Sequence, residues 1–401
     1  MSEWRECKLG DFAEIQTGPF GSQLHAADYV DVGIPSIMPT NIGSRLEVRT
    51  DSIACIKEAD AKRLEKYLIK ENDIVYSRRG DVEKCAFITS KQSGWLCGTG
   101  CLRVRIISPE LFPKFCAYYL STDDIKGWVS GNAVGTTMPN LNSSILKRLP
   151  LTLPPLPEQK AIAAVLSSLD DKIDLLHRQN ATLEAMAETL FRQWFVVEAR
   201  EDWEEVKVSD FVDINAVSIS KGYPHNSIEY LDTGSLTEGK IERYQTYELK
   251  QAPSRAMRIV QHNDVLISTV RPNQKHYGII KHPLNNLIVS SGFCVLTCSK
   301  IDPHFIYLLL TTDDMTEHLH SVAEGSTSTY PSLKPSDIAS IQFRLPPKEK
   351  IERFAELASN SWDKIERNYK QIRTLEKLRD TLLPKLMSGE VRVKVGVNDH
   401  E

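Results

Sequence analysis

The side chains with the greatest potential for chemistry are cysteines, and two pairs of them share one spacing. Three residues separate Cys97 from Cys101, and three separate Cys294 from Cys298. Zinc sites usually combine more closely spaced cysteines with a complementary pair of histidines. We therefore expect no metal site, but reduced and buried thiols that pack as small apolar side chains. Reduced thiols are typical of the cytosol, so we expect a cytoplasmic protein.

The sequence patterns of common catalytic and cofactor sites are absent from the chain. No Gly-x4-Gly-Lys-Ser/Thr loop is present to bind nucleotide phosphates, and no Gly-x-Gly-x-x-Gly segment follows a strand. There is also no His-Glu-x-x-His segment and no Asn/Asp-Pro-Pro-aromatic motif of amino-methyltransferases. We infer a chain that has no catalytic activity and no cofactor of its own.

The composition is that of a globular protein with more than one domain. The 401 residues are 41% hydrophobic and 25% charged, and this length predicts two or three domains. No stretch approaches the roughly 18 apolar residues of a membrane-spanning helix, so no membrane association is expected. The net charge of −4 gives no overall support for nucleic-acid binding, so any DNA-binding surface must be a local patch.

An internal duplication provides the elements that must position the polar side chains. Residues 4–15 (WRECKLGDFAEI) match residues 203–214 (WEEVKVSDFVDI), and residues 72–77 (NDIVYS) match residues 263–268 (NDVLIS). Further matches follow in the same order, and the offset between the halves stays between 190 and 199 residues. This long period indicates two copies of one unit rather than a solenoid.

Each copy has a β-rich part followed by a long helix with a heptad pattern. In the first helix, spacings of four and three alternate from Ile162 to Trp194, and the seam has one polar member, Asn180. The second seam is weaker and also contains one asparagine, Asn368. Two matched segments of this length are better buried against each other than as separate surface helices. We therefore predict an antiparallel pair with pseudo-two-fold symmetry.

The two asparagines predict the register of this pair. In an antiparallel pair of helices, the residue numbers of two facing positions add up to a constant. If Asn180 faces Asn368, the same sum also pairs Trp194 with Phe354. A buried asparagine is costly to leave unpaired, so this contact favours a single register. The alternative is that one asparagine turns outward to water or to a partner subunit.

These features together resemble the specificity subunits of type I restriction-modification systems. The resemblance covers nearly the whole chain. Its most specific signals are LPEQK at residues 156–160, DDKI at residues 170–173 and LLPKLMSGE at residues 382–390. The entry of the second helix, PKEK at residues 347–350, departs from the Pro-Glu-Gln pattern.

The resemblance implies an α+β chain in which two similar α/β target-recognition domains are joined by two long antiparallel coiled-coil helices, as a pseudo-two-fold internal duplication. Each domain would read one half of a split sequence in double-stranded DNA. The helices would set the spacing of the halves and dock two methyltransferase subunits, which use S-adenosylmethionine to modify adenine N6, and motor-nuclease restriction subunits can join them. The implied boundaries are residues 1–153, 154–198, 199–345 and 346–393, with a C-terminal tail at 394–401.

Two loops in each half combine side chains of the types that read bases or bind phosphates. The candidates for DNA binding in these loops are Arg78, Arg79, Thr136, Thr137 and Asn140 in the first half, and Arg271, Asn273, Gln274, Lys275, Ser326, Thr327, Ser328 and Tyr330 in the second. Further candidates are Gln23, Asn41 and Arg45. For any single one of these residues, a structural or solvated role is the alternative.

An aromatic group lies at the end of the first helix. Phe191, Trp194 and Phe195 provide more apolar surface than a two-helix seam can bury, so we expect some of them to face a partner protein. Packing under the following domain is the alternative.

Two other functions stay open on the sequence. A structural adaptor would bridge proteins through its coiled coil without reading DNA, and a test of sequence-dependent DNA binding distinguishes it. A self-contained modification enzyme would methylate DNA alone, but the missing methyltransferase motif argues against it.

Overall fold

The structure is a computed structural model of the chain, and it describes residues 4–135, 139–325 and 330–393. The chain divides into two compact units. The first comprises Met1–Asp174 and Arg373–Glu401, and the second comprises Leu175–Ile372. Both divisions fall inside long helices, so each unit holds one β-rich domain together with one segment of each long helix.

The β-rich part of the first unit has short strands and short helices. The strands are β1 (Arg5–Lys8), β2 (Ala13–Thr17), β3 (Tyr29–Val30), β4 (Ile34–Ile37), β5 (Cys55–Ile56), β6 (Ile74–Ser77), β7 (Cys85–Phe87), β8 (Leu96–Cys97), β9 (Cys101–Ile106) and β10 (Pro150–Leu153). The helices are α1 (Glu58–Arg63), α2 (Pro113–Leu120), α3 (Asp123–Asn132) and α4 (Ser143–Lys147).

Two sheets build the core of the first unit. One has the strand order β2-β9-β6-β7 and is antiparallel throughout, and the other has the order β3-β5-β4-β8. Strand β6 is buried at every position, as a central strand that is covered on both faces must be. Helix α2 is buried from Phe115 to Leu120 and contributes to the same apolar core. The loop that follows β6 therefore begins at the buried core of the first unit.

The second unit repeats this arrangement after the first long helix. That helix is α5 (Leu156–Phe191), and a π-helical turn, Arg192–Val197, continues it. The strands are β11 (Glu205–Lys207), β12 (Val212–Ile214), β13 (Ser227–Leu231), β14 (Leu236–Thr237), β15 (Lys240–Ile241), β16 (Gln245–Glu248), β17 (Ala256–Ile259), β18 (Val265–Ser268), β19 (Tyr277–Ile279), β20 (Leu287–Ser290), β21 (Phe293–Cys298) and β22 (Gln342–Arg344). The helices are α6 (Pro303–Thr311), α7 (Asp313–Glu324), α8 (Pro335–Ala339) and the long α9 (Lys348–Ser388).

The strand order confirms the predicted duplication. The sheet β12-β21-β18-β19 repeats the order of β2-β9-β6-β7. The turn after the first strand is also repeated, because the amide of Lys8 donates to Asp11 at 3.0 Å and the amide of Lys207 donates to Asp210 at 2.9 Å. The second sheets differ, since the second unit has the order β16-β13-β20-β17 and a separate hairpin, β14-β15. The two units therefore share the order of one sheet and differ in the remaining strands.

Within the second unit, α5 and α9 run antiparallel in the predicted register. The side-chain amide of Asn368 donates to Oδ1 of Asn180 at 2.7 Å, and both residues are almost fully buried. The rings of Trp194 and Phe354 lie 6.4 Å apart, edge to face. Both predicted contacts are confirmed, and the alternative of an outward asparagine is wrong.

Within the first unit, the start of α5 is fixed to the β-rich part by its Leu-Pro-Glu-Gln-Lys segment. Gln159 is fully buried, and its Oε1 accepts from the amide of Phe112 at 2.8 Å. Its Nε2 donates to the carbonyls of Glu110 at 2.9 Å and Pro154 at 2.8 Å. The side-chain amide thus uses both of its ends to hold the helix against the domain, which gives this sequence signal a structural reason.

Candidate nucleic-acid interface

The two predicted loops of the first unit lie side by side. The amide of Gly80 donates to the carbonyl of Pro139 at 3.3 Å, and the amide of Leu141 donates to the carbonyl of Arg78 at 2.9 Å. Arg79 and Asn140 form an isolated antiparallel bridge between these contacts. We call residues 78–80 with residues 139–141 the first loop junction.

The second unit has the same contact between its two loops. The amide of Arg271 donates to the carbonyl of Pro331 at 3.0 Å, and the amide of Leu333 donates to the carbonyl of Thr269 at 2.7 Å. Val270 and Ser332 form the isolated antiparallel bridge. Residues 269–271 with residues 331–333 are the second loop junction.

A buried serine supports each junction from the end of the preceding strand. The hydroxyl of Ser77 donates to the carbonyl of Arg79 at 3.1 Å, and the hydroxyl of Ser268 donates to the carbonyl of Val270 at 2.9 Å. Because these bonds and the bonds between loops recur in both units, the two junctions share one hydrogen-bond pattern although their side chains differ.

The arginines do not occupy equivalent positions in the two junctions. The shared hydrogen bonds place Thr269 where the first unit has Arg78, and Arg271 where it has Gly80. Gly80 has a φ of +73°, and Arg271 has a φ of +49°. A left-handed backbone is easy for glycine but uncommon for arginine. This uncommon conformation marks Arg271 as a candidate for function.

Each junction presents an arginine over an exposed aromatic ring. The guanidinium carbon of Arg78 lies 5.3 Å from the ring centre of Phe20, and that of Arg271 lies 4.8 Å from the ring centre of Tyr330. Burial, with a smaller effect of the neighbouring positive charge, lowers the pKa of Arg78. Arg79 next to it is exposed. The sequence analysis did not identify Phe20. The feature that could have identified it is an aromatic residue in a Gly-Pro-Phe-Gly turn, where burial is not expected.

The remaining candidates in the loop after β18 differ from one another in their surroundings. Asn273 and Gln274 are exposed on the single 3-10 turn Pro272–Gln274. Lys275 is engaged, since its Nζ lies 2.9 Å from Asp313 and 3.4 Å from Glu238. The hydrogen bond to Asp313 raises the pKa of Lys275. The two amides are therefore better placed than Lys275 to meet a ligand.

The structure does not support Asn41 and Arg45 as DNA contacts. Asn41 is buried, and its amide accepts from the amide of Met38 at 2.9 Å and donates to the carbonyl of Arg49 at 3.3 Å. Arg45 pairs with Glu376 of α9 at 2.8 Å, within the first unit. Both side chains hold the unit together.

Gln23 is also engaged inside the first unit, because its Oε1 accepts from the hydroxyl of Tyr67 at 2.7 Å. Five further candidates lie outside the described residues. They are Thr136, Thr137, Ser326, Thr327 and Ser328.

The aromatic residues at the end of α5 pack within the second unit. Phe191 is 3% exposed, and its ring centre lies 5.4 Å from that of Phe305 and 5.9 Å from that of Phe354. The half-buried Phe195 lies 5.0 Å from Phe305 and 5.2 Å from Phe354. The expectation that Phe191 faces a partner is corrected, because its ring is part of the core under the following domain. Trp194 is half-buried over the same cluster.

The cysteine pairs behave as small apolar residues. Cys97, Cys101 and Cys294 are buried free thiols, and Cys298 is half-buried. Burial raises the pKa of Cys97 and of Cys294 to about 12, so these thiols stay protonated at neutral pH. Within residues 4–135, 139–325 and 330–393, no three His, Cys, Asp or Glu side chains form a group suited to a metal ion. No helix in this part of the chain is long and apolar enough to cross a membrane.

Comparisons with known proteins agree with this architecture. A family model described as the type I restriction modification DNA specificity domain matches residues 1–185 and again residues 200–377. The chain is 28% identical to the type I restriction enzyme MjaIX specificity subunit of Methanocaldococcus jannaschii, over 98% of this chain and 94% of that protein. It is 24% identical to the putative type I restriction enzyme MjaX specificity subunit of the same organism, over 88% of this chain and 87% of that protein. A crystal structure of a type I restriction-modification S subunit from M. genitalium has the same fold, with a TM-score of 0.60 and 18% identity over 96% of both chains.

Proposed function

The chain belongs to the family of type I restriction-modification DNA specificity proteins, and on this premise we propose that each of its units reads one half of a bipartite DNA sequence. The chain acts as the non-catalytic DNA-recognition subunit of a type I restriction-modification complex. The observation that supports one half-site for each unit is the pair of loop junctions, which share one pattern of backbone hydrogen bonds and differ in side chains.

Direct reading of DNA needs polar side chains on a rigid backbone, and the junctions supply both. Arg79, Asn273 and Gln274 are exposed beside hydrogen-bonded loops, and Arg271 projects from one. Arginine pairs with guanine, and asparagine or glutamine pairs with adenine, through bidentate hydrogen bonds in the major groove. Two junctions with different side chains therefore suit two different half-sites.

The proposal extends to the partners of the complex. Two methyltransferase subunits would dock on the long helices and supply the S-adenosylmethionine chemistry at adenine N6, and motor-nuclease subunits would join them in the cytoplasm. The net charge of −4 gives this chain no general attraction for DNA. Positive charge at the junctions, and on the partner subunits, would then supply the salt-dependent part of DNA binding.

A binding experiment with the assembled methyltransferase complex tests this function. Duplexes with the recognised sequence are compared with duplexes altered in one half-site or the other. We expect Arg79→Ala to weaken the response to changes in one half-site and Arg271→Ala to weaken the response to changes in the other, with a loss of about 1–3 kcal/mol for each base contact.

Arg344→Ala is the matched control, because Arg344 is exposed on β22 of the second unit and outside its loop junction. This variant should bind as the unaltered complex does. A complex that binds every duplex with equal affinity would contradict DNA reading and would favour a structural adaptor.

A further inference from the structure

An exposed aromatic ring under an arginine is a rare arrangement in this protein. Phe20 and Tyr330 are 50% and 56% exposed. Other Lys or Arg side chains in the described residues also lie over rings, but those rings are buried or half-buried. The two exposed pairs are the ones at the loop junctions.

Backbone contacts place Phe20 at the first junction. The amide of Gly18, in the same turn, donates to the carbonyl of Cys101 at 2.9 Å, and the amide of Arg78 donates to the carbonyl of Gly100 at 2.8 Å. The turn that contains Phe20 and the loop that begins with Arg78 are therefore bonded to one end of β9. Tyr330 is the residue before Pro331 of the second junction.

The duplication does not account for the similarity of the two pairs. Phe20 follows β2, whereas Tyr330 lies between α7 and α8. The arginines are not equivalent either, because Arg271 takes the place of Gly80. The same arrangement has thus been built twice from unrelated positions, which points to a shared role rather than to shared ancestry of the residues.

An exposed ring of this kind is suited to contact with DNA bases. An aromatic side chain that is half exposed to water forgoes part of the free energy of burial, which contact with a ligand can recover. The arginine lies over one face of the ring and adds positive charge, while about half of each aromatic residue stays exposed. Apolar side chains such as phenylalanine meet the methyl group of thymine in the major groove.

We propose that Phe20 and Tyr330 are specificity-determining residues that contact base edges with their rings, one in each half-site. Arg78 holds the ring of Phe20 in position, and Arg271 holds the ring of Tyr330 in addition to making the base contact proposed above. The inference rests on the proposed function, because it names side chains that would read the DNA.

The affinity of the complex of this chain with its methyltransferase, measured over a range of salt concentrations, tests the inference. We expect Phe20→Ala and Tyr330→Ala each to weaken binding to the recognised duplex about tenfold, in the range of one lost base contact. The dependence of affinity on salt should keep its slope, since a ring neutralises no phosphate. Affinity for a scrambled duplex should stay the same.

Matched variants distinguish the effect of losing the ring from the effect of losing any exposed apolar side chain. Phe20→Tyr and Tyr330→Phe keep the rings and should retain most of the affinity. Ile107→Ala removes an apolar side chain that is more exposed than either ring, at 67%, and lies beyond the other end of β9. This position is roughly 20 Å along the strand from the junction, and its loss should change nothing.

Two results would overturn the inference. One is that both alanine variants bind the recognised duplex as tightly as the unaltered complex. The other is that they lose affinity for recognised and scrambled duplexes equally. The unaltered complex distinguishes this failure from failure of the proposed function: if it discriminates between the duplexes, only the role of the rings is lost, and if it does not, the proposed function fails as well.

Discussion

Replacing Asn180 and Asn368 by leucine, singly and together, perturbs the contact that sets the register of α5 and α9 in the second unit. The two side chains are 2% and 1% exposed and share one hydrogen bond of 2.7 Å. A single substitution leaves the other amide buried without this partner. The double substitution removes both amides and leaves two apolar side chains on the seam.

The magnitude follows from the cost of an unpaired buried polar group, which is about 1–3 kcal/mol. We expect each single variant to be destabilised by this amount. The double variant should be at least as stable as the unaltered protein, because a leucine pair packs on a heptad seam better than an asparagine pair does. The two substitutions should therefore be non-additive by the sum of the two single losses, about 2–6 kcal/mol, because residues in direct contact do not act independently.

Hydrogen exchange of the helical backbone is the suitable assay, because a chain of two units is not expected to unfold in one step. Peptides from residues 175–191 and 348–372 report on the paired segments. Asn360→Leu is the matched control, since it makes the same change at an exposed position of α9 and should leave exchange unaltered. If the double variant is destabilised by the sum of the two single effects, the asparagines do not act as a pair and the reasoning is refuted.

Three further predictions concern stability. Burial, together with neighbouring carboxylates, raises the pKa of Glu184 from 4.5 to about 7. The favourable contribution of Glu184 to the free energy of unfolding is therefore complete below pH 4.5 and is lost as the pH rises through 7. Glu184→Gln should therefore stabilise the second unit by about 2 kcal/mol at pH 8, after a discount for partial exposure, and not at pH 4.5; a gain with the exposed Glu356→Gln would show a general charge effect instead. Phe191→Ala should destabilise the second unit by about 3–5 kcal/mol by leaving a cavity, whereas a small change in its thermal midpoint would mean that the ring is not part of this core. Gln159→Ala should destabilise the first unit by about 3 kcal/mol, because two carbonyls and one amide lose their partner, and hydrogen exchange of α5 that stays slow from its first turn would contradict the anchoring role.

The sequence predicted the parts of the fold that depend on repeated, local signals. The duplication, the long helices and the Asn180–Asn368 contact follow from spacing, because a heptad seam and a two-fold relation leave few registers to choose from. The sequence showed that the same two loops occur in both halves. It did not show that the two loops of one unit contact each other. The bonds between Gly80 and Pro139, and between Arg271 and Pro331, depend on long-range packing that spacing does not encode.

Individual side chains were harder to predict, for a physical reason. Asn41 and Arg79 are both polar residues in loops, but the first satisfies its own turn and the second is exposed. Phe191 and Phe20 are both aromatic, but the first completes a core and the second remains in water. In each case the outcome depends on which neighbours come within contact distance, and the local pattern of residue types does not show which neighbours these are.

Sequencing of N6-methyladenine in cells that contain this chain and its methyltransferase tests the central claim most directly. The unaltered chain should give one motif with two specified blocks separated by unspecified bases. Arg271→Ala should relax the specified bases in one block and leave the other block and the spacing unchanged. A motif with a single continuous block, or relaxation of both blocks by this one substitution, would contradict the claim that each unit reads its own half of the site.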